Sequence, residues 1–556
     1  MFIRICTTII RRVVVEPRIS KQQTFNFHAS AVFLHRGGGG DGMAVCGAPA
    51  TVKFERLPTF AKPIHYDVQL APDLQQFKFD GKVSIDVEIL EDTDVLKVHA
   101  QTLAINGASV KIESKVYDNL STTYDEKLNI LTVKLPAILK PQKVVLDFKF
   151  VGELNDKMRG FYRSCYKDAS GNEKFLASTQ FESTYARFAF PCWDEPVYKA
   201  TFDVTLEVAP GLTALSNMNV VSTTPSSSGK TEIVKVRHEP QNELLSCRFC
   251  RWRARVHQYQ DEKRHGDARL HSSRERRNKA ASVWIFRPRP STGTTNGAME
   301  NWGLVTYREV ALLVDPAVTS TRQKSRVALV VAHELAHLWF GNLVTMRCTC
   351  FVGANCPEFK IWLHFVHDEL ASGMELDALR NSHPIEVEID NPNELDEIYD
   401  SITYAKSNSV NRMLCYYLSE PVFQKGLRLY LKKFSYSNAV TQDLWSALSD
   451  ASGQNVNELM SGWTKQMGFP VVKVSQKKEG DKRILTLEQR RFISDGGDDS
   501  ANSLWQVPIT VSVQSAPEDV KARFVLKERK QDFVVEGVAD ADWVKLNVGT
   551  TGFLPS

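Results

Sequence analysis

The segment SRVALVVAHELAHL, residues 325–338, has the apolar spacing of an amphipathic helix. Apolar residues recur at helical intervals, at Val327, Val330, Val331, Leu335 and Leu338. This is the pattern of a helix that turns one face to a hydrophobic core. We therefore predict a helix over this segment, with the apolar face buried.

Two histidines lie four positions apart in that helix. His333 and His337 share one helical face, so both imidazoles can reach a single ion. Neutral imidazole suits Zn²⁺. Glu334 lies next to that face, within reach of a water on the metal, and is predicted to act as the general base.

Catalytic zinc normally has three protein ligands, and the third is hard to place here. Residues 347–358 read RCTCFVGANCPE, without helical periodicity and with Glu358 as the one acid. Cys348, Cys350 and Cys356 are able to bind zinc, but thiolate-rich sites are typical of structural zinc. The sequence thus predicts a zinc site without its third ligand.

A second motif, GAMENWGL at residues 297–304, precedes the histidines. Together the two motifs resemble the gluzincin aminopeptidases, most closely their puromycin-sensitive branch. Further runs resemble the same branch: STQFE at 178–182, AFPCWDEP at 189–196, ALSNMNV at 214–220, WTKQMGFP at 463–470 and LNVGT at 546–550. The resemblance covers most of residues 54–553.

The resemblance implies release of N-terminal residues from peptides by a zinc-activated water. His333 and His337 would bind zinc, and Glu334 would be the general base. Glu300 would bind the free α-amino group, for which a fixed carboxylate is chemically suited. Tyr404 would donate to the oxyanion of the tetrahedral intermediate. The substrate-binding set would be Gln180, Gly297, Ala298, Met299, Glu300 and Asn301.

The chain departs from the family pattern at the third zinc ligand. That glutamate falls at Cys356 by spacing, so we expect weak zinc binding and impaired activity. Two other functions are kept open. One is a catalytically inactive relative that binds peptide N-termini or partners. The other, an endopeptidase, is disfavoured by Glu300, because an amine-binding carboxylate has no role in internal cleavage.

The N-terminal half alternates apolar and polar residues with a period of two. The alternation covers 66–70, 83–89, 144–150 and 202–208, with turn signals at Asp80-Gly81 and Asn106-Gly107. Half-buried antiparallel strands have this pattern. We predict an N-terminal antiparallel β saddle domain over 51–240.

Residues 244–290 carry eleven arginines and almost no apolar period. A basic nucleic-acid patch, a zinc knuckle at Cys247 and Cys250, a disordered loop and a wrong-frame segment are the alternatives. We expect no packed core or regular structure there.

Helical and then strand periodicity follows. Helices are predicted at 423–434, 444–451 and 456–467, and strands around 507–513. The prediction is an α+β multidomain protein with a thermolysin-like, mainly helical catalytic domain at 241–472, aberrant at 241–295 and 347–357. A small C-terminal β-sandwich follows at 473–556, without the family's C-terminal helical domain.

The composition indicates which binding partners and which cellular compartment to expect. The net charge of +4 from 69 basic and 65 acidic residues argues against a nucleic-acid binder. No apolar run is long enough for a transmembrane segment. Cys165, Cys192 and Cys415 are predicted as buried free thiols, and the expected location is cytoplasmic. Residues 1–50 are either a leader, mitochondrial in its arginine content, or not native sequence, with Met43 as the start.

Overall fold

The computed structural model describes residues 55–167, 170–242, 249–252, 282–286, 298–315, 317–345, 361–387 and 399–555. Within these ranges, no helix has both the length and the apolar character needed to cross a membrane.

The N-terminal region is built from strands. They are β1 (Ala61–Asp73), β2 (Lys78–Ile89), β3 (Thr93–His99), β4 (Ala104–Ile112), β5 (Lys115–Tyr117), β6 (Thr122–Asp125), β7 (Ile130–Leu139), β8 (Gln142–Glu153), β9 (Gly160–Lys167), β10 (Glu173–Gln180), β11 (Ala200–Val208), β12 (Thr213–Ser216), β13 (Val220–Pro225), β14 (Glu232–Val236), β15 (Glu239–Asn242) and β16 (Phe249–Trp252). A short 3₁₀ helix, Ala186–Phe188, lies between β10 and β11.

Three sheets share one hydrophobic core in this region. The largest has nine strands in the order β13-β14-β11-β1-β2-β8-β4-β5, with β15 also paired to β11. A four-stranded sheet, β12-β16-β10-β9, and a three-stranded sheet, β3-β7-β6, accompany it. The predicted alternation is confirmed, because Tyr66, Val68, Phe202 and Val204 are all buried in that core.

One strand pair runs against the antiparallel prediction. Strands β1 and β11 pair in parallel, with Tyr66 opposite Phe202 and Val68 opposite Val204. Alternation shows which residues face the core, but it carries no information on strand direction. The chain between these strands is far longer than the dozen or so residues that a parallel connection needs.

The two predicted turn signals are also wrong, because both lie inside strands. Gly81 sits in β2 directly opposite Phe150 of β8. A Cβ atom on Gly81 would lie 2.2 Å from the Phe150 ring, so the glycine is there to admit an aromatic side chain. Gly107 follows a register irregularity between Ile105 and Gly107 in β4, where it pairs with β8.

Regular structure also occurs inside 244–290, where none was expected. Strand β16 pairs with β10 and β12, and a further strand, β17 (Ser282–Phe286), pairs in parallel with β19 (Leu304–Arg308). The prediction of no regular structure is therefore wrong for these two segments, in which a few apolar residues stand among arginines. The other residues of that stretch lie outside the described ones.

Helices dominate the middle of the chain. The α-helices are α1 (Thr321–His337), α2 (Ile361–His364), α3 (Ala371–Asp377), α4 (Ser407–Leu418), α5 (Glu420–Lys433), α6 (Thr441–Ser452) and α7 (Val456–Thr464). Other elements are β18 (Ala298–Met299), the 3₁₀ helix Glu309–Ala311, β20 (Val344–Thr345), the π-helices Phe365–Leu370 and Ile402–Lys406, and β21 (Ser437–Asn438). The predicted helices are confirmed as α1, α5, α6 and α7, with ends shifted by a few residues.

The C-terminal region returns to strands, as predicted. They are β22 (Pro470–Glu479), β23 (Lys482–Arg491), β24 (Val507–Val513), β25 (Ala522–Leu526), β26 (Lys530–Val535) and β27 (Val544–Leu546), followed by the 3₁₀ helix Val548–Thr550. They form two three-stranded sheets, β22-β23-β26 and β25-β24-β27. Trp463, Trp505 and Phe553 lie in one core that the helices and these sheets share. The α+β layout is thus confirmed.

Cys165, Cys192 and Cys415 are free thiols, as predicted. Cys192 and Cys415 are buried, as predicted. Cys165 is only partly buried, and its thiol donates to a carboxylate oxygen of Glu173 at 2.9 Å. Its strand, β9, leaves that side chain at the surface.

Candidate active site

Helix α1 carries the two histidines and is held by an N-terminal cap and by its buried apolar face. Its first turn is capped by Ser320, whose side chain accepts a hydrogen bond from the backbone N–H of Gln323 at 3.2 Å. Its apolar face is buried against β19 in a small core that contains Val305, Tyr307 and Val331. Burial of this face sets the rotation of the helix, and therefore the direction of the histidines.

The two imidazoles meet, as the spacing of four residues predicts. The Nε2 atoms of His333 and His337 lie 3.0 Å apart, and the ring centroids lie 4.5 Å apart. His337 Nδ1 lies 3.0 Å from the carbonyl oxygen of Phe340 and 3.3 Å from Glu300 Oε1. Both neighbours are acceptors, so Nδ1 carries the hydrogen and Nε2 presents its lone pair.

This arrangement fits a zinc ion. Zinc–imidazole bonds are about 2.0–2.1 Å long, which two nitrogens 3.0 Å apart can share. A ligating histidine usually donates its other N–H to a carbonyl or carboxylate, and His337 has one of each. The relative position of the two rings is confirmed, and their role as ligands stays a prediction.

The turn after α1 requires a glycine. Gly341 has φ of +129°, and a Cβ atom there would lie 3.1 Å from His337 Nδ1. The next residue, Asn342, is buried and donates its side-chain N–H to the backbone carbonyl of Glu300 at 2.7 Å. One turn thus contacts both the histidine and the predicted amine-binding segment.

That segment is held by strand pairing. Ala298 and Met299 form β18 and pair with Tyr307 and Thr306 of β19. Asn301 is buried and donates to the carbonyl oxygen of Met299 at 3.3 Å. These bonds fix the backbone on both sides of Glu300, whose side chain is 17% exposed.

Gln180 reaches the same segment from the N-terminal region. It is the last residue of β10, and its Nε2 lies 3.6 Å from the sulfur of Met299. The structure therefore brings Gln180, Met299, Glu300 and the histidines to one place, although they are far apart in the sequence.

Glu334 lies buried beside these residues. Its side chain is enclosed, and Oε2 has no hydrogen-bond partner among the residues that the structure describes. Burial raises the pKa of Glu334 well above its usual value, and the nearby charges of Glu300 and Glu182 raise it further. A cation between the imidazoles would oppose that rise.

Glu182 is an acid near Glu334 that the sequence analysis did not single out as a candidate. It lies two residues after Gln180 in the run STQFE, and its charge contributes to the raised pKa of Glu334. The run STQFE was part of the family resemblance, so its position in the sequence was a usable signal. The residue type alone, however, does not distinguish this acid from an ordinary surface carboxylate.

Tyr404 lies on the π-helix Ile402–Lys406 and is 40% exposed. Its ring centroid lies 6.2 Å from that of Tyr399. Lys406, two residues on, is fully buried in an ion pair with Asp377, with 2.9 Å between Nζ and Oδ2. The helix is thus anchored, and the catalytic role of Tyr404 stays a prediction.

Some predicted residues fall outside the described ones. They are Cys247, Gly297, Cys348, Cys350, Cys356 and Glu358. The prediction of a missing third zinc ligand therefore rests on the sequence.

Comparison with known proteins covers the same regions. The Peptidase M1 N-terminal domain matches residues 62–242, and the Peptidase family M1 domain matches residues 290–463. The chain is 65% identical to a puromycin-sensitive aminopeptidase of Caenorhabditis elegans, over 95% of this chain and 60% of the relative. It is 40% identical to aminopeptidase M1 of Arabidopsis thaliana, over 90% of this chain and 61% of the relative. It is 37% identical to the alanine/arginine aminopeptidase of Saccharomyces cerevisiae, again over 90% and 61%.

The chain thus spans about three fifths of the length of the curated relatives that it matches. Both matched domains belong to one family, and together they contain the site residues described above. The chain therefore belongs to the M1 peptidase family.

Proposed function

We propose that this chain acts as a zinc aminopeptidase that releases N-terminal residues from peptides. One observation carries the proposal: two imidazole nitrogens converge at 3.0 Å, with the Glu300 carboxylate 3.3 Å from the same histidine. A carboxylate next to a metal position can bind the free amine of a peptide while the metal position lies at the first peptide bond. This arrangement suits cleavage next to a free amine.

His333 and His337 would hold the zinc through Nε2. Zinc, when bound, supplies Lewis acidity that favours deprotonation of water and polarises the peptide carbonyl. Glu334 takes the proton from the attacking water and delivers it to the leaving amine as the peptide C–N bond breaks. Tyr404 donates a hydrogen bond to the carbonyl oxygen as negative charge develops there.

Recognition of the substrate would fall to Glu300 and Gln180. A carboxylate gives charge-assisted hydrogen bonds to an α-ammonium group, and the Gln180 amide adds a neutral partner. Because Glu300 is held by β18 and by Asn342, it fixes the distance between the amine and the histidines. Such positioning selects the first peptide bond.

A second function is an inactive relative that binds peptide N-termini without cleaving them. The sequence at 347–358 favours it, since the third-ligand position holds Cys356. A protein of this kind would bind zinc weakly and still recognise a free amine. The comparisons give no support to impaired activity, which stays a prediction from the sequence, as does a cytoplasmic location.

The test combines zinc content by elemental analysis with turnover of an aminoacyl fluorogenic amide. An aminopeptidase holds one zinc that depends on His333 and His337, and Glu334→Gln keeps this zinc while turnover falls about 10²–10⁴-fold. Glu300→Gln raises KM for the free amine, and the N-acetylated amide is not cleaved by any form.

Three other outcomes would overturn the proposal. Amine binding without zinc or turnover would identify the inactive relative. Cleavage of the N-acetylated substrate would identify an endopeptidase. Turnover that survives loss of both histidines would place the chemistry elsewhere.

A further inference from the structure

Three metal-binding side chains converge on the nine-stranded sheet, far from helix α1 in the sequence. His65 lies on β1, Asp203 on β11, and His238 two residues beyond the end of β14. These strands are neighbours in the sheet. His65 pairs with Thr201 in register, and the side chains of both point away from the core that buries Tyr66.

The three residues form a close group, here called the His–Asp–His cluster (His65, Asp203 and His238). His238 Nδ1 lies 2.8 Å from Asp203 Oδ1, and His65 Nε2 lies 3.4 Å from Asp203 Oδ2. One ligand atom of each residue lies within 4.8 Å of the others. The two rings stack with centroids 5.4 Å apart.

Contacts on the other side of the ring hold His65 in place. Its Nδ1 lies 2.8 Å from the Thr201 hydroxyl. This contact leaves the other ring nitrogen, Nε2, facing the Asp203 carboxylate at 3.4 Å. A histidine that ligates a metal commonly has such a polar partner on its second ring nitrogen.

A second carboxylate lies next to the cluster. Asp67 of β1 pairs in register with Asp203 of β11. A divalent ion would offset two carboxylates in one place.

We propose that the His–Asp–His cluster binds a divalent transition-metal ion of the zinc class, separate from the His333–His337 position. Two imidazoles and one carboxylate suit zinc, copper or nickel, whereas calcium and magnesium prefer all-oxygen sites. The side chains are partly exposed, 21% for His65 and 56% for His238, so water can complete the coordination. A bound ion would tie β1 and β11 to the segment after β14.

The test uses the full chain carrying His333→Ala and His337→Ala, which removes the other metal position. Zinc chloride is titrated in competition with a chromophoric zinc indicator, and Cu²⁺ is added separately for electron paramagnetic resonance. His238→Ala and, as a variant that keeps size and shape, Asp203→Asn are each introduced into this chain. His367→Ala is the matched control, because His367 Nδ1 lies 3.1 Å from Asp368 and no third ligand joins that pair within the described part of the chain.

We expect each cluster variant to lose one zinc equivalent or at least tenfold in affinity, and to lose imidazole nitrogen couplings from the Cu²⁺ spectrum. The His367→Ala control should change neither. Any metal that cysteines elsewhere in the chain bind would be present in the parent and in every variant, so it would not affect the difference in zinc content between them. Equal zinc content and equal spectra in parent and cluster variants would overturn the proposal and leave the cluster as a hydrogen-bonded network.

Discussion

His99 makes the folding of the N-terminal region sensitive to acid. It ends β3 and is fully buried, and its Nδ1 accepts a hydrogen bond from the backbone N–H of Asp194 at 3.3 Å. Nε2 therefore carries the hydrogen and has no partner among the described residues. Burial, with the nearby positive charge of Arg187, lowers the pKa of His99 from 6.5 to about 2.

The direction of the pH effect on stability follows from the difference in proton binding between the folded and the unfolded chain. The unfolded chain protonates His99 below pH 6.5, whereas the folded chain does so only near pH 2. The stability associated with neutral His99 is thus complete above pH 6.5 and is lost as pH falls toward 2. When the pH falls from 7.5 to 5, protonation of this one group in the unfolded chain lowers the free energy of unfolding by about 2 kcal/mol.

His99→Asn isolates the effect. The asparagine Oδ1 can replace Nδ1 as acceptor for the Asp194 N–H, and the titrating ring is gone. We expect the parent to lose about 2 kcal/mol more than the variant between pH 7.5 and pH 5, because acidic groups common to both cancel in the difference. Urea unfolding followed by tryptophan fluorescence measures this, since Trp193 is buried in the same core.

His367→Asn is the control, because the His367 side chain is 84% exposed. It should follow the parent at both pH values. If His99→Asn and the parent lose equal stability on acidification, then His99 is protonated in the folded state and the reasoning fails.

Two further predictions concern the supports of the site. Lys406→Met leaves the buried Asp377 carboxylate without its cationic partner and should cost about 3–5 kcal/mol by denaturant unfolding, with partial recovery in the double variant that also carries Asp377→Asn. Gly341→Ala should cost about 1 kcal/mol or more because of its positive φ. It should also lower zinc content, because the new methyl group lies against the His337 ring.

Local periodicity accounts for what the sequence predicted well. The histidine pair follows from a spacing of four on a helix, which needs no knowledge of distant residues. The alternation of β1 and β11 identified their buried faces in the same way. Helix ends were shifted by a few residues, as is usual because the ends of helices fray.

Distant pairing accounts for what was missed. The glycine in β2 was interpreted as a turn because its reason, the Phe150 ring on another strand, is invisible in the local sequence. The parallel pairing of β1 with β11 and the approach of Glu182 to Glu334 have the same origin. Each depends on which segments meet, and periodicity does not contain that information.

The turn that ends α1 connects the proposed metal position to the proposed amine-binding carboxylate. The Phe340 carbonyl fixes the hydrogen on His337 Nδ1, which leaves Nε2 for a metal. Two residues on, Asn342 holds the backbone carbonyl of Glu300 at 2.7 Å, and the Glu300 carboxylate returns to the same His337 Nδ1 at 3.3 Å. These contacts therefore form a ring that runs from the His337 imidazole through the turn to Glu300 and back to the same imidazole. A shift of this turn would move the proposed metal position and the proposed amine position together, so the distance between them is set by backbone that belongs to both.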